Sequence, residues 1–140
     1  MNKYYFCLSF LPILFFSSCT GKSESGPRTY KVTGNVSYQG KPVPEATLLF
    51  KKVDQSRGAV GQTNSDGKFQ LTTFELDDGA LVGEYQVSIV CYEKPRLNAS
   101  EAEMYHLKNK LPAKYEDVKK SGLTATVVDN DRNTFNFDLK

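Results

Sequence analysis

The chain has 140 residues, of which 39% are hydrophobic and 24% are charged, and its formal net charge is +2. This length is typical of a single domain. The 18 basic and 16 acidic side chains are scattered along the sequence, so the composition excludes a nucleic-acid-binding protein, which needs a concentrated basic face to displace counterions.

The first segment has the features of a secretory signal. One positive charge, Lys3, precedes a mainly apolar stretch at residues 4–16. This stretch is too short for a transmembrane helix, which needs about 20 apolar residues, and Pro12 interrupts it. We therefore predict a signal peptide at residues 1–18.

Small residues follow the apolar stretch and lead to a cysteine. Ser17, Ser18 and Cys19 resemble the lipobox of bacterial lipoproteins, although Phe16 stands where that family usually has leucine. The resemblance implies that Cys19 becomes the acylated, palmitate-bearing N-terminus and anchors the chain in a membrane. Two alternatives stay open: an ordinary signal peptide cleaved nearby, and an uncleaved anchor helix.

Residues 19–29 are small, polar and turn-forming, which is the composition of a flexible tether. Thr20 follows the cysteine, where inner-membrane lipoproteins of well-studied Gram-negative bacteria carry aspartate. By resemblance to that sorting rule, we expect the outer membrane of the cell envelope, with the face left open.

Residues 30–140 form the predicted folded domain. At its start, mainly apolar and polar residues alternate along the chain. One face of the first strand takes every second residue: Tyr30, Val32, Gly34, Val36 and Tyr38. This period of two is typical of a strand with one buried face. Gly40, Pro42 and Pro44 then interrupt the strand.

Four further strands are predicted between residues 46 and 91. Residues 46–53 form one, with Leu48 and Phe50 facing the core. Residues 59–63 and 68–74 form a hairpin, because the Asp-Gly pair at residues 66–67 tolerates the left-handed backbone of a tight turn. The inward residues of the hairpin and of the following strand at residues 81–91 are Phe69, Leu71, Tyr85, Val87, Ile89 and Cys91.

A short helix is predicted in the crossover that follows. Ser100 and Glu103 have the spacing of a capping box. Met104, Leu107 and Leu111 continue at helical spacing until Pro112 ends the run.

Apolar and polar residues alternate again at residues 123–127 and 134–139, which predicts two strands. We predict that the turn at residues 129–133 joins them in a hairpin. About seven short strands with little helix indicate an all-β antiparallel sandwich.

Several motifs resemble carboxypeptidase regulatory-like domains. Residues 32–46 are similar to their opening "G-x-V-x-x-x-G-x-P-V-x-x-A", residues 63–69 to their "T-x-x-D-G-x-F" hairpin, and residues 83–88 to their "G-x-Y-x-V" strand. Residues 111–139 resemble the ending of small bacterial transthyretin-like lipoproteins. The resemblance implies a seven-stranded antiparallel Greek-key sandwich of transthyretin-like topology, with one short helix in a crossover.

Candidates for catalysis are few. The chain contains one histidine, His106, so a histidine-rich metal site cannot be built. Transthyretin-like hydroxyisourate hydrolases use several histidines and end in Tyr-Arg-Gly-Ser, whereas this chain ends Asp138-Leu139-Lys140. The sequence therefore predicts no catalytic residue and no cofactor.

Cysteine and aspartate offer no clear metal site. Cys91 is the one cysteine of the predicted domain, so it is expected to be a small buried residue on a strand. Five aspartates fall at turns, where carboxylates could bind calcium, but their spacing is not that of a calcium loop and aspartate is common in turns. They are Asp66, Asp77, Asp78, Asp129 and Asp131.

The leading hypothesis is a non-enzymatic cell-envelope lipoprotein that presents the sandwich as a binding or spacer module. Its partners would be the membrane, through acylated Cys19, and an unidentified envelope protein or glycan. One alternative is a carbohydrate-binding module, although most of the eight tyrosines and nine phenylalanines fall at inward positions and tryptophan is absent. A hydrolase of transthyretin-like fold is the other alternative and is disfavoured.

Overall fold

A computed structural model describes residues 27–54, 57–130 and 132–140. The predicted signal peptide and Cys19 lie outside these residues. The strands are β1 (Thr29–Tyr30), β2 (Val32–Tyr38), β3 (Lys41–Pro42), β4 (Thr47–Lys52), β5 (Ala59–Gln62), β6 (Lys68–Thr72), β7 (Ala80–Leu81), β8 (Gly83–Val90), β9 (Leu123–Val127) and β10 (Asn133–Leu139). The crossover from β8 to β9 holds a single-turn helix α1 (Glu101–Tyr105) and a 3-10 turn (Ala113–Tyr115).

Seven of these strands follow one continuous path in the order β10-β2-β6-β5-β4-β8-β9, and the sheet curls over itself into a β-sandwich. The predicted all-β fold is confirmed. Among the described strands, β10 and β2 pair in parallel over seven residues, from Asn133 opposite Val32 to Leu139 opposite Tyr38. The remaining pairs between described strands are antiparallel.

The predicted hairpin between the last two strands is wrong. β9 pairs with β8, and β10 crosses to the opposite edge of the sheet to pair with β2. The Asn133 amide holds this crossing: its Oδ1 accepts from the N–H of Val128 at 2.9 Å, and its Nδ2 donates to the carbonyls of Val128 and Asn130. Alternation predicts that each strand has a buried face, but it does not select the partner strand.

The core is built from the inward residues that the alternation predicts. Leu48, Phe69 and Leu71 are at most 2% exposed. The Phe50 ring lies at the centre, with the rings of four other aromatic residues 6.0–6.2 Å away: Phe69, Tyr85, Phe135 and Phe137. Aromatic pairs at this separation stabilise a core beyond their buried area.

Gly34 faces this core without a side chain, and its partner across the β2–β6 pair is Phe69. A methyl group at Gly34 would overlap the carbonyl oxygen of Phe135 and come within 2.5 Å of the Phe69 ring. The glycine therefore makes room for the aromatic ring beside it, so that β2 can lie close to β10.

Helix α1 has the predicted capping box, in which Ser100 and Glu103 each bind the backbone of the other. The helix is shorter than the predicted run, because the Asn109 side chain draws the following segment back to the sheet. Its Oδ1 accepts from the N–H groups of Cys91 at 3.0 Å and Leu111 at 3.1 Å. Among the described residues, no helix combines the length and apolar character needed to cross a bilayer.

Candidate functional site

A groove of about 990 Å³ lies on the outside of the curled sheet, within the part of the chain that the structure describes. Five consecutive strands line it, in the order β10, β2, β6, β5 and β4. Because successive side chains of a strand point to opposite faces, the inward residues of these strands build the core and the outward ones build the groove. We call this surface the polar groove.

Register places the outward side chains of β10, β2 and β6 in two rows across the sheet. One row is Thr134, Thr33 and Gln70, and the next is Asn136, Asn35 and Lys68. The hydroxyl oxygens of Thr33 and Thr134 lie 3.5 Å apart. Neighbouring strands are separated by about 4.8 Å, so each row presents hydrogen-bonding groups at nearly even intervals.

The side chains of the polar groove are mainly neutral and polar. Amides come from Asn35, Gln62, Asn64, Gln70 and Asn136, and hydroxyls come from Thr33, Thr47, Thr72 and Thr134. Amides donate and accept hydrogen bonds, as do hydroxyls. The Asn64 Oδ1 already accepts from the N–H groups of residues 66 and 68, and the Thr72 hydroxyl accepts from the N–H of Asp77. The remaining amides and hydroxyls suit a neutral ligand that carries polar groups.

Two charges and two aliphatic side chains complete the lining. Lys68 and Asp77 are of opposite sign, with Lys68 at the start of β6 and Asp77 in the loop after its end, so the charges of the lining cancel. Val60 and Leu76 are 48% and 85% exposed and supply a small apolar surface. Among the described lining residues there is no histidine, cysteine or serine, and a lone carboxylate and a lone ammonium do not make a nucleophile activated by a base.

The strand backbone beneath the groove is well supported. β2, β6, β5 and β4 each have a hydrogen-bonded neighbour on both sides, and the threonines are β-branched with restricted rotamers. A ligand would therefore need to order little of the strand backbone when it binds.

A tight loop positions the rim of the groove. The Asp78 carboxylate accepts hydrogen bonds from the N–H groups of Thr73 (2.7 Å), Phe74 (3.1 Å) and Glu75 (3.2 Å). Burial, the largest single influence, raises the pKa of Asp78, but these backbone donors together bring it below its usual value of 3.8. The ionised carboxylate thus fixes the loop that carries Leu76 and Asp77.

The structure does not bring the predicted candidates together. Cys91 is 3% exposed, with its Sγ 3.5 Å from the carbonyl oxygen of Pro44. Its predicted burial is confirmed, but it follows the last residue of β8 instead of lying on the strand. His106 is exposed at the end of α1 and is not part of the groove.

Of the five turn aspartates, Asp131 lies outside the described residues. Asp78 has both carboxylate oxygens occupied by backbone N–H donors, and Asp77 lines the groove. Within residues 27–54, 57–130 and 132–140, no group of three His, Cys, Asp or Glu side chains could hold a metal ion.

Sequence reasoning missed the polar groove. The signal was present in the outward positions of the predicted strands, which carry amides and threonines where many exposed strand faces carry lysine and glutamate. Thr33 and Asn35 share the outward face of β2, but their neighbours on β10 and β6 come from distant parts of the chain.

The fold and the groove together define a small all-β sandwich module. No family model matches the chain, and no curated protein matches it. Among solved structures, it is similar to a DUF3823 family protein from Parabacteroides merdae, with 14% identity and a TM-score of 0.45 over 82% of this chain and 47% of that one. It is also similar to part of a 9R-lipoxygenase from Cyanothece, with 15% identity and a TM-score of 0.38 over 86% of this chain and 18% of that one. The chain thus spans about half the length of the first protein and less than a fifth of the second.

Proposed function

We propose that this chain is a non-enzymatic lipoprotein of the cell envelope, held to a membrane by acylated Cys19, whose β-sandwich binds a ligand in the polar groove. The observation that carries the proposal is the groove itself. A module that only spaces other parts apart needs no concave face lined by nine amide and hydroxyl side chains.

The anchoring part of the proposal is supported by the sequence around Cys19. An apolar stretch, two small residues and a polar tether surround it, and acyl chains contribute about 0.8 kcal/mol per buried methylene to membrane binding. Residues 19–29 would reach at most roughly 40 Å when fully extended. The tether would thus keep the module close to the membrane and leave the polar groove accessible to a ligand. We propose that this membrane is the outer membrane.

Membership of the carboxypeptidase regulatory-like family is part of the proposal. Its motifs correspond to defined structural features of this chain. The Asp66-Gly67 pair forms the turn between β5 and β6, with Gly67 at φ +74°. Tyr85 of the "G-x-Y-x-V" segment donates a hydrogen bond from its hydroxyl to the carbonyl of Leu81.

The test is the mature N-terminus of the full-length protein expressed in a lipoprotein-processing host. Wild type should begin at Cys19, carry a diacylglycerol-type mass increase and sediment with membranes. Cys19→Ser should lose the lipid, whereas the matched control Cys7→Ser should keep it. A mature wild-type chain with no lipid, or with residues 1–18 retained, would contradict the anchoring proposal.

A further inference from the structure

We infer that the ligand of the polar groove is a neutral glycan chain. This inference rests on the proposed function, because it names the ligand class for the same site. It is argued from the charge of the groove, from the pairing of its strands and from the placement of its apolar residues.

The charge of the groove favours an uncharged, hydroxyl-rich ligand. Its lining carries nine neutral hydrogen-bonding side chains, and the charges of Lys68 and Asp77 cancel. A nucleic acid or an acidic polysaccharide needs several cations to replace its counterions, and the groove offers one. A sugar chain presents hydroxyls that both donate and accept, as threonine hydroxyls and amides do.

Strand pairing disfavours a peptide. Extended peptides commonly bind a sheet by adding a strand to a free edge, where main-chain hydrogen bonds supply the affinity. β2, β6, β5 and β4 are paired on both sides, so their backbone groups are occupied by neighbouring strands. A ligand lying across them can be recognised only by side chains.

The apolar residues are placed to contact a sugar ring. Val60 lies opposite Thr72 on β6 and opposite Leu49 on β4, and both Val60 and Leu49 are more than 40% exposed. Val60 and Leu76 line the groove beside the amides and hydroxyls, and Leu49 adjoins Val60 on the same face of the sheet. Pyranose rings have an apolar C–H face and polar edges, which matches this combination.

The test uses detergent-solubilised full-length protein against a panel of neutral oligosaccharides (glucans, mannans, xylans and galactans), with heparin and a random peptide library as comparison probes. Gln70→Arg and Thr33→Arg place a long charged side chain in the groove and should abolish glycan binding. The matched control is Thr126→Arg, an exposed strand position on β9 outside the groove, and it should bind like wild type.

Smaller changes should give graded effects. Asn136→Ala should weaken binding roughly two- to ten-fold, the effect of losing one hydrogen bond. Because the ligand is neutral, binding should change by less than about two-fold between 0.05 and 0.5 M salt.

The outcomes separate the two proposals. Neutral-glycan binding that Gln70→Arg abolishes and Thr126→Arg preserves supports both. Binding of heparin or of peptides that shows the same dependence on Gln70 overturns the glycan inference and leaves the groove as a binding site. If no probe binds in a way that depends on Gln70 or Thr33, both the inference and the proposed role of the groove are overturned.

Discussion

The buried hydroxyl of Tyr85 offers a sharp test of how the sandwich is held together. Tyr85 lies on β8, is 1% exposed and packs its ring against Phe50 at 6.0 Å. Its hydroxyl donates to the carbonyl oxygen of Leu81 at 2.7 Å, four residues earlier in the chain. This bond ties the start of β8 to β7, where the chain enters the sheet.

The substitution Tyr85→Phe removes the hydroxyl and keeps the ring. A hydrogen bond contributes a net 0.5–1.5 kcal/mol, and a partner left without a donor adds to the loss, so the free energy of unfolding should fall by about 1–2 kcal/mol. For a domain of this size, that lowers the Tm by roughly 4–8 °C. Tyr105→Phe is the matched control, because Tyr105 is 87% exposed and its change should shift the Tm by less than about 2 °C.

The burial of Tyr85 also leads us to expect that the stability of the fold depends on pH. Burial, with a smaller contribution from the Asp54 carboxylate, raises the pKa of Tyr85 from 10.0 to about 12. Because the folded-state pKa is the higher one, the neutral phenol stabilises the fold fully below pH 10, and this stabilisation is lost as the pH rises toward about 12. The stability difference between wild type and Tyr85→Phe should therefore shrink above pH 10.

The assay is urea unfolding followed by circular dichroism, at intervals between pH 7 and pH 11.5, on wild type, Tyr85→Phe and Tyr105→Phe. Comparing the variants at each pH cancels the titration of the lysines and other tyrosines. A Tyr85→Phe variant as stable as wild type at pH 7 would refute the hydrogen-bond argument. A stability difference that stays constant through pH 11.5 would refute the burial argument.

Two further predictions concern the side chain of Asp78 and the missing side chain of Gly34. Asp78→Ala should lower the free energy of unfolding by about 1–2 kcal/mol at pH 7, and because the pKa of Asp78 is lowered by folding, urea titrations should show this difference vanishing as the pH falls through that pKa. Gly34→Ala should cost about 3 kcal/mol or more by thermal unfolding, since its methyl group overlaps the Phe135 carbonyl and crowds the Phe69 ring. Gly40→Ala, whose methyl group meets no atom within 4 Å, should cost only about 1–2 kcal/mol for its positive φ; equal losses at both glycines would contradict the packing argument.

Local pattern accounts for much of the fold. Strand β8 could be located, and its inward residues Tyr85, Val87 and Ile89 named, because a strand with one buried face alternates with a period of two. The capping box of Ser100 and Glu103 was equally visible, since its hydrogen bonds join residues three apart. Each of these features depends on neighbours in the chain.

Pairing between distant strands was beyond such a pattern. The alternation of β10 is the same whether it pairs with β9 in a hairpin or with β2 in parallel, and the structure takes the second arrangement. Asn133, which turns the chain between the two sheet edges, is an ordinary turn residue in sequence. Its three hydrogen bonds reach only residues 128 and 130, so they shape the local loop and do not select the partner strand.

The sequence by itself determined that this chain makes short strands with one apolar face, and it marked Cys19 as the candidate for acylation. The tertiary structure alone decided where the polar faces meet. Thr33 and Thr134 are 101 residues apart in the chain, yet their hydroxyls lie 3.5 Å from each other in the groove. The physical reason is that burial of the inward side chains drives the curling of the sheet. The curling brings outward side chains from distant strands together in one concave surface, which the local sequence pattern cannot predict.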